Sequence, residues 1–147
     1  MKLSFSIKGW NCRDFDEYIS TAKEYGFTGI ELTDLVNTGF ADKGGAFDVY
    51  NSSATSKKLY EAGITLPCMD SACDISSDDD EAMKNELEFC IGIAKTMKNP
   101  NIRVYAKDAD TTLEKAIANL EKLIPVAEQR KLCCSLKQWA SLQTPTT

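Results

Sequence analysis

The chain has no histidine. That removes the Ser-His and Cys-His nucleophile arrangements and the commonest transition-metal ligand. It also lacks any C-x-x-C pair. Its six cysteines are Cys12, Cys68, Cys73, Cys90, Cys133 and Cys134, and none has the spacing of a zinc ribbon or a thioredoxin-like site. They read as small buried hydrophobes and free thiols. No apolar run approaches the roughly 20 residues of a membrane span. The first apolar run is broken by Lys8 with no small-residue cleavage site after it, so a secretory leader is not expected. Basic excess is missing too: 17 Lys and Arg stand against 22 Asp and Glu, a net charge of −5. That leaves no electrostatic footprint for nucleic acid. The expected setting is a reducing cytoplasm, with neither membrane nor nucleic acid as partner.

What is present is a repeat. A helix with an apolar face closes on Gly, and a short apolar strand follows at once. Glu24-Tyr25-Gly26-Phe27-Thr28-Gly29-Ile30-Glu31-Leu32 does this first, and Glu61-Ala62-Gly63-Ile64-Thr65-Leu66 repeats it. Such alternation predicts an α/β chain of parallel βα units. The predicted strands are Leu3–Ile7, Gly29–Leu32, Ile64–Met69 and Ile102–Tyr105, with a fifth at Leu132–Leu136. Helix 1 opens at Asp14 or Asp16 and helix 2 runs from about Phe47 to Ala62. Ser76 or Ser77 caps helix 3, and helix 4 starts near Asp110 or Thr111. Pro67 falls inside strand 3, where it argues against full hydrogen bonding. Pro125 would bend helix 4 or start a new turn. A closed (β/α)8 TIM barrel needs eight units and typically about 250 residues. At 147 residues the chain holds about four units, a half-barrel. Residues 1–130 are read as that half-barrel and 131–147 as an atypical C-terminal tail.

Functional residues of such a barrel sit at the C-terminal ends of the strands and in the loops after them. That rule selects Trp10, Glu31, Asp34, Cys68, Asp70, Arg103 and Tyr105. Trp10 suits an apolar wall against a sugar, or a plug of its loop against the sheet. Glu31 and Asp70 suit a carboxylate pair for proton transfer or metal binding, or plain helix capping. Arg103 projects from a parallel strand, where a charge needs a partner; a salt bridge to Glu31 and a contact to a substrate oxyanion both supply one. Gly39 to Gly45 is a near miss for a phosphate loop, with its Lys on the wrong side of the second Gly. The Asp78–Glu81 run reads as an acidic helix start.

Leu3-Ser-Phe-Ser-Ile, Tyr25-Gly-Phe-Thr-Gly-Ile-Glu-Leu32, Ala62-Gly-Ile-Thr-Leu66 and Asn101-Ile-Arg-Val-Tyr105 together resemble the sugar phosphate isomerase/epimerase family, the xylose-isomerase-like TIM barrels. Asn119–Glu128 is similar to the helix before that family's fifth strand. The resemblance covers about residues 1–130, the N-terminal half of such a barrel. It implies metal-dependent proton-transfer isomerisation or epimerisation of a small sugar. It also implies a divalent ion (Mn, Mg, Co or Zn) held by Glu, Asp, His and Glu from strands 5 to 8. The first of those ligands should fall just after Lys131, where the sequence reads Leu132-Cys-Cys-Ser-Leu-Lys-Gln138 with no acid. No metal ligand, cofactor or catalytic residue is therefore assigned to this chain. Trp10, Glu31, Cys68, Asp70 and Arg103 are the expected lining of the substrate pocket. The chain reads as a truncated form, inactive alone. The other reading is a non-catalytic half-barrel that self-associates through open sheet edges, because its inward residues would lack half their core.

Overall fold

In the computed structural model, residues 2–10, 14–35, 38–99 and 101–128 are described, together with the backbone of 133–138. Five strands alternate with four helices: β1 Ser4–Ser6, α1 Phe15–Glu24, β2 Gly29–Glu31, α2 Ser52–Glu61, β3 Met69–Asp74, α3 Asp80–Met97, β4 Asn101–Ala106, α4 Leu113–Glu128 and β5 Cys133–Gln138. Each pairing is parallel: β1 with β2, β3 with β4, β4 with β5. Parallel bridges Gly29–Thr65 and Leu32–Met69 join β2 to the β3 region. Spatial order thus follows chain order.

The strand predicted at Ile64–Met69 is corrected to Met69–Asp74. Pro67 supplies the reason. It has no N–H to give to the ladder, so the stretch before Met69 holds on through separate bonds. Ile30 N–H donates to Thr65 O at 2.9 Å and Leu32 N–H to Cys68 O at 3.1 Å. Beyond Asp70, β3 bulges: Asp70 pairs with Arg103, yet Asp74 pairs with Tyr105. Ser71 Oγ covers the gap by donating to Arg103 O at 2.7 Å.

Three helices end by one device. Phe27 N–H donates to Ala22 O, Ile64 N–H to Leu59 O and Asn99 N–H to Ala94 O, each five residues back. This ending needs a left-handed residue just before the donor. Gly26 (φ 72°) and Gly63 (φ 69°) provide it, and Lys98 (φ 54°) does so in α3. At the N-termini, Asp14 caps α1, accepting from Asp16 N–H at 3.0 Å. The α3 cap is Asp79 rather than Ser76 or Ser77, with Ala82 N–H at 2.9 Å, because Ser76 Oγ donates to Asp74 instead. Helix α2 starts later than predicted. Residues from Phe47 to Asn51 turn back on the Phe40–Gly45 loop, with Phe47 N–H on Phe40 O at 2.7 Å. Helix α4 starts at Leu113 and continues through Pro125.

Alternation divides the sheet into two faces. Ile30, Leu32, Met69, Ile102, Val104 and Ala106 are buried with Phe15, Ala22, Leu59, Leu87, Ile91 and Leu123 of the helices. The other face carries Ser4, Ser6, Glu31, Asp70, Asn101, Arg103 and Tyr105, from the register and the side-chain bonds. The expectation that the inward face is apolar and half-cored is therefore corrected. Among the described residues its side chains are small, polar or charged.

Candidate functional site

The inward face gathers its charges where three neighbouring strands run side by side: at the end of β2, near the start of β3 and in the middle of β4. Glu31 closes β2, Asp70 lies early in β3 and Arg103 sits opposite Asp70 in β4. Gly29 allows β1 and β2 to approach closely: a Cβ there would meet Ser4 Cβ at 2.8 Å and Pro67 Cδ at 3.3 Å.

Arg103 Nη1 donates to Asp70 Oδ1 at 2.7 Å and also lies against Glu31 Oε1. Tyr105 Oη donates to Asp70 Oδ2. Asp70 is 7% exposed and both its oxygens are taken, so it is fixed in place. The side chains of Arg103 and Glu31 keep 22% and 20% of their surface open. Burial alone would lower the Arg103 pKa; Asp70, Tyr105, Cys68 and Glu31 outweigh it and hold the guanidinium above its ordinary value. Burial, then the bond to Asp70, pushes the Tyr105 phenol up. Arg103 thus stands as a guanidinium between two carboxyl side chains, a pre-aligned group for an oxygen-rich ligand.

Four of the five pocket residues expected from the sequence are thus brought together. The ligating atoms of Glu31, Cys68 and Asp70 lie within 4.8 Å of one another, with Arg103 on both acids. The salt bridge between Arg103 and Glu31 forms, and Asp70 joins it. Trp10 stands apart, packed on Phe5 and Tyr18 with centroids 5.2 and 6.1 Å away and 45% exposed. Its carbonyl accepts from Tyr18 Oη at 3.1 Å. Asp34 adopts a left-handed turn (φ 53°) in the loop after β2. Tyr105 was legible only as a strand end; the alternation that puts Arg103 on the inward face puts Tyr105 there as well.

A divalent ion does not fit the Glu31–Cys68–Asp70 group as it stands. Its spacing would suit a cation, but the guanidinium already lies against both carboxylates and would have to leave.

The glycine-rich loop is no phosphate site. Gly44 N–H donates to Asp48 Oδ2 at 2.8 Å and Gly45 N–H to Asp42 O at 2.8 Å, so a carboxylate of the chain occupies the anion position. The Gly44 bond holds the Asp48 carboxyl below its ordinary range. The Asp78–Glu81 run is structural: Asp78 pairs with Lys115 at 2.8 Å and Asp80 with Lys122 at 2.7 Å, tying α3 to α4. Among the described residues, no helix is long and apolar enough to cross a membrane.

No protein-family model matches the chain, and no curated protein does. Solved structures do. The probable 3-DHS dehydratase AsbF involved in petrobactin synthesis from Bacillus anthracis superposes with a TM-score of 0.77 at 20% identity, over 92% of this chain and 52% of that one. A xylose isomerase domain containing protein from Salmonella typhimurium LT2 gives 0.72 at 12%, over 90% and 47%. The IolI protein, with a zinc atom bound, gives 0.71 at 14%, over 94% and 51%. The chain spans about half the length of these proteins, consistent with an N-terminal half. Its fold is that of the xylose-isomerase-like, sugar phosphate isomerase/epimerase TIM barrels, over about half of the barrel.

Proposed function

We propose that this chain supplies the substrate-binding mouth of a sugar isomerase/epimerase-type barrel. The observation that carries the reading is Arg103, held by Asp70 and Glu31 on the inward face shared by β2, β3 and β4. A guanidinium fixed between carboxylates offers donors to sugar oxygens, and the carboxylates offer acceptors to sugar hydroxyls. Glu31, Cys68, Asp70 and Arg103 form the floor, and Trp10 an apolar wall to one side. Residues 1–130 form the half-barrel, and β5 at Cys133–Gln138 in the C-terminal segment 131–147 continues its sheet. The whole reaction is metal-dependent proton transfer on a small sugar, with a divalent ion (Mn, Mg, Co or Zn) held by residues outside 1–130, and the setting is the cytoplasm. This chain alone has no turnover.

Ketoses and aldoses incubated with the purified chain and Mn²⁺, Mg²⁺, Co²⁺ or Zn²⁺ should show conversion no better than blank. Metal-dependent turnover lost in Glu31→Gln would mean that the metal ligands lie in this half, and would overturn the division of labour.

The second reading is a half-barrel that pairs with its own copy. Its support is that, among the described residues, β1 pairs only with β2 and β5 only with β4, and unpaired edges recruit partners. The polar inward face and the three-residue β1 weaken it. Light scattering coupled to size exclusion separates the two: a dimer at micromolar concentration favours self-pairing, a sharp monomer removes it.

A further inference from the structure

The two carboxylates of the mouth differ in what their oxygens still lack. Asp70 accepts from Arg103 at one oxygen and from Tyr105 at the other. Glu31 Oε1 is buried yet accepts no hydrogen bond; its contact with Arg103 Nη1 is ionic, without the alignment of a donor. A buried acceptor without a donor is costly to leave, and a ligand that brings the donor removes that cost. The donor is not a second cation, because the Arg103 guanidinium lies against the same oxygen and would repel one. A neutral hydroxyl meets no such repulsion. Its oxygen can in turn accept from Arg103, whose side chain is 22% exposed.

We propose that Glu31 is the specificity-determining acceptor of the mouth. It takes a hydrogen bond from one hydroxyl of a polyol ligand beside Arg103, and so selects hydroxylated over deoxygenated ligands. The inference rests on the sugar-binding reading above and adds the residue that discriminates. Asp70 and Tyr105 are then positioning residues that hold Arg103.

The test is calorimetric binding of D-fructose and its 1-, 3- and 4-deoxy forms to the wild-type chain and to Glu31→Leu, which keeps bulk but removes the acceptor. A site built to bond a hydroxyl rejects the analogue that lacks it. One deoxy ketose should bind the wild type at least about tenfold more weakly than D-fructose. That gap should close to within about twofold in Glu31→Leu. If Glu31→Leu does not fold, the deoxy series on the wild type decides alone. Equal binding of D-fructose and every deoxy form overturns this inference and leaves the sugar-binding reading standing. Absence of binding by any ketose overturns the sugar-binding reading and this inference with it.

Discussion

Arg103 and Asp70 occupy paired register positions on β4 and β3, and Nη1 of one reaches Oδ1 of the other at 2.7 Å. Neighbouring parallel strands set this distance, so the pair is part of the sheet's own geometry. Removing one member of a buried charge pair leaves the other uncompensated. Asp70→Asn should lower unfolding stability by about 2–4 kcal/mol, at or below the usual cost because Arg103 is partly open to water. Urea unfolding of Asp70→Asn, Arg103→Met and the double variant checks it, with the double variant less destabilised than the sum. Additive losses would show that the pair is not coupled.

Gly29→Ala tests the close approach of β1 and β2. The added Cβ would meet Ser4 Cβ at 2.8 Å, and both atoms belong to paired strands that cannot easily part. The expected loss is about 1–3 kcal/mol, read by thermal unfolding. A neutral or stabilising result would mean that the strands separate without cost.

Tyr105 makes stability fall in alkali. Its folded pKa is raised above the ordinary value of 10.0, by burial first and by Asp70 second. The folded chain therefore keeps a proton that the unfolded chain gives up above about pH 10. The contribution is fully present below that pH and is lost as pH rises through the folded value. Absorbance at 295 nm should show the Tyr105 phenol ionising above the ordinary tyrosine range. In Tyr105→Phe the late absorbance should fall by the amplitude of one phenol. An unchanged late step would assign it to another phenol.

Thiol reactivity should follow burial. Cys68 is half-buried, whereas Cys73 and Cys90 are buried. Burial, then Glu86, pushes the Cys90 thiol up. Iodoacetamide at pH 8 followed by peptide mass mapping should label Cys68 well before Cys73 and Cys90. Equal labelling of the three would show that the core opens.

Much of this was legible in the sequence. Helix-ending Gly26 and Gly63 marked the βα repeat, and parallel strands in chain order followed from it. Glu31, Cys68, Asp70 and Arg103 were selected as strand ends, yet only Glu31 ends its strand; the register of β2, β3 and β4 is what brings them together. The place of β3 was not legible: Pro67 shows that a ladder must break, but not that regular pairing resumes after it and bulges through Asp74. The inward face was misjudged for a related reason. Apolar residues dominate each strand by count, yet alternation sends Ile30, Ile102 and Val104 to the helices and leaves Glu31, Arg103 and Tyr105 inside. Asp79 was hidden as a cap among four consecutive acids, where only the bond to Ala82 N–H singles it out.

The central claim is that the mouth around Arg103 binds a sugar, and the guanidinium can report it directly. The Arg103 Nε–H resonance, assigned by its loss in Arg103→Lys, would be followed in ¹⁵N-labelled chain during titration with D-fructose. The expected result is a saturable shift of that resonance, with binding lost in Arg103→Lys. A resonance that stays fixed while D-fructose saturates shifts elsewhere, or a titration in which nothing moves, would contradict the claim.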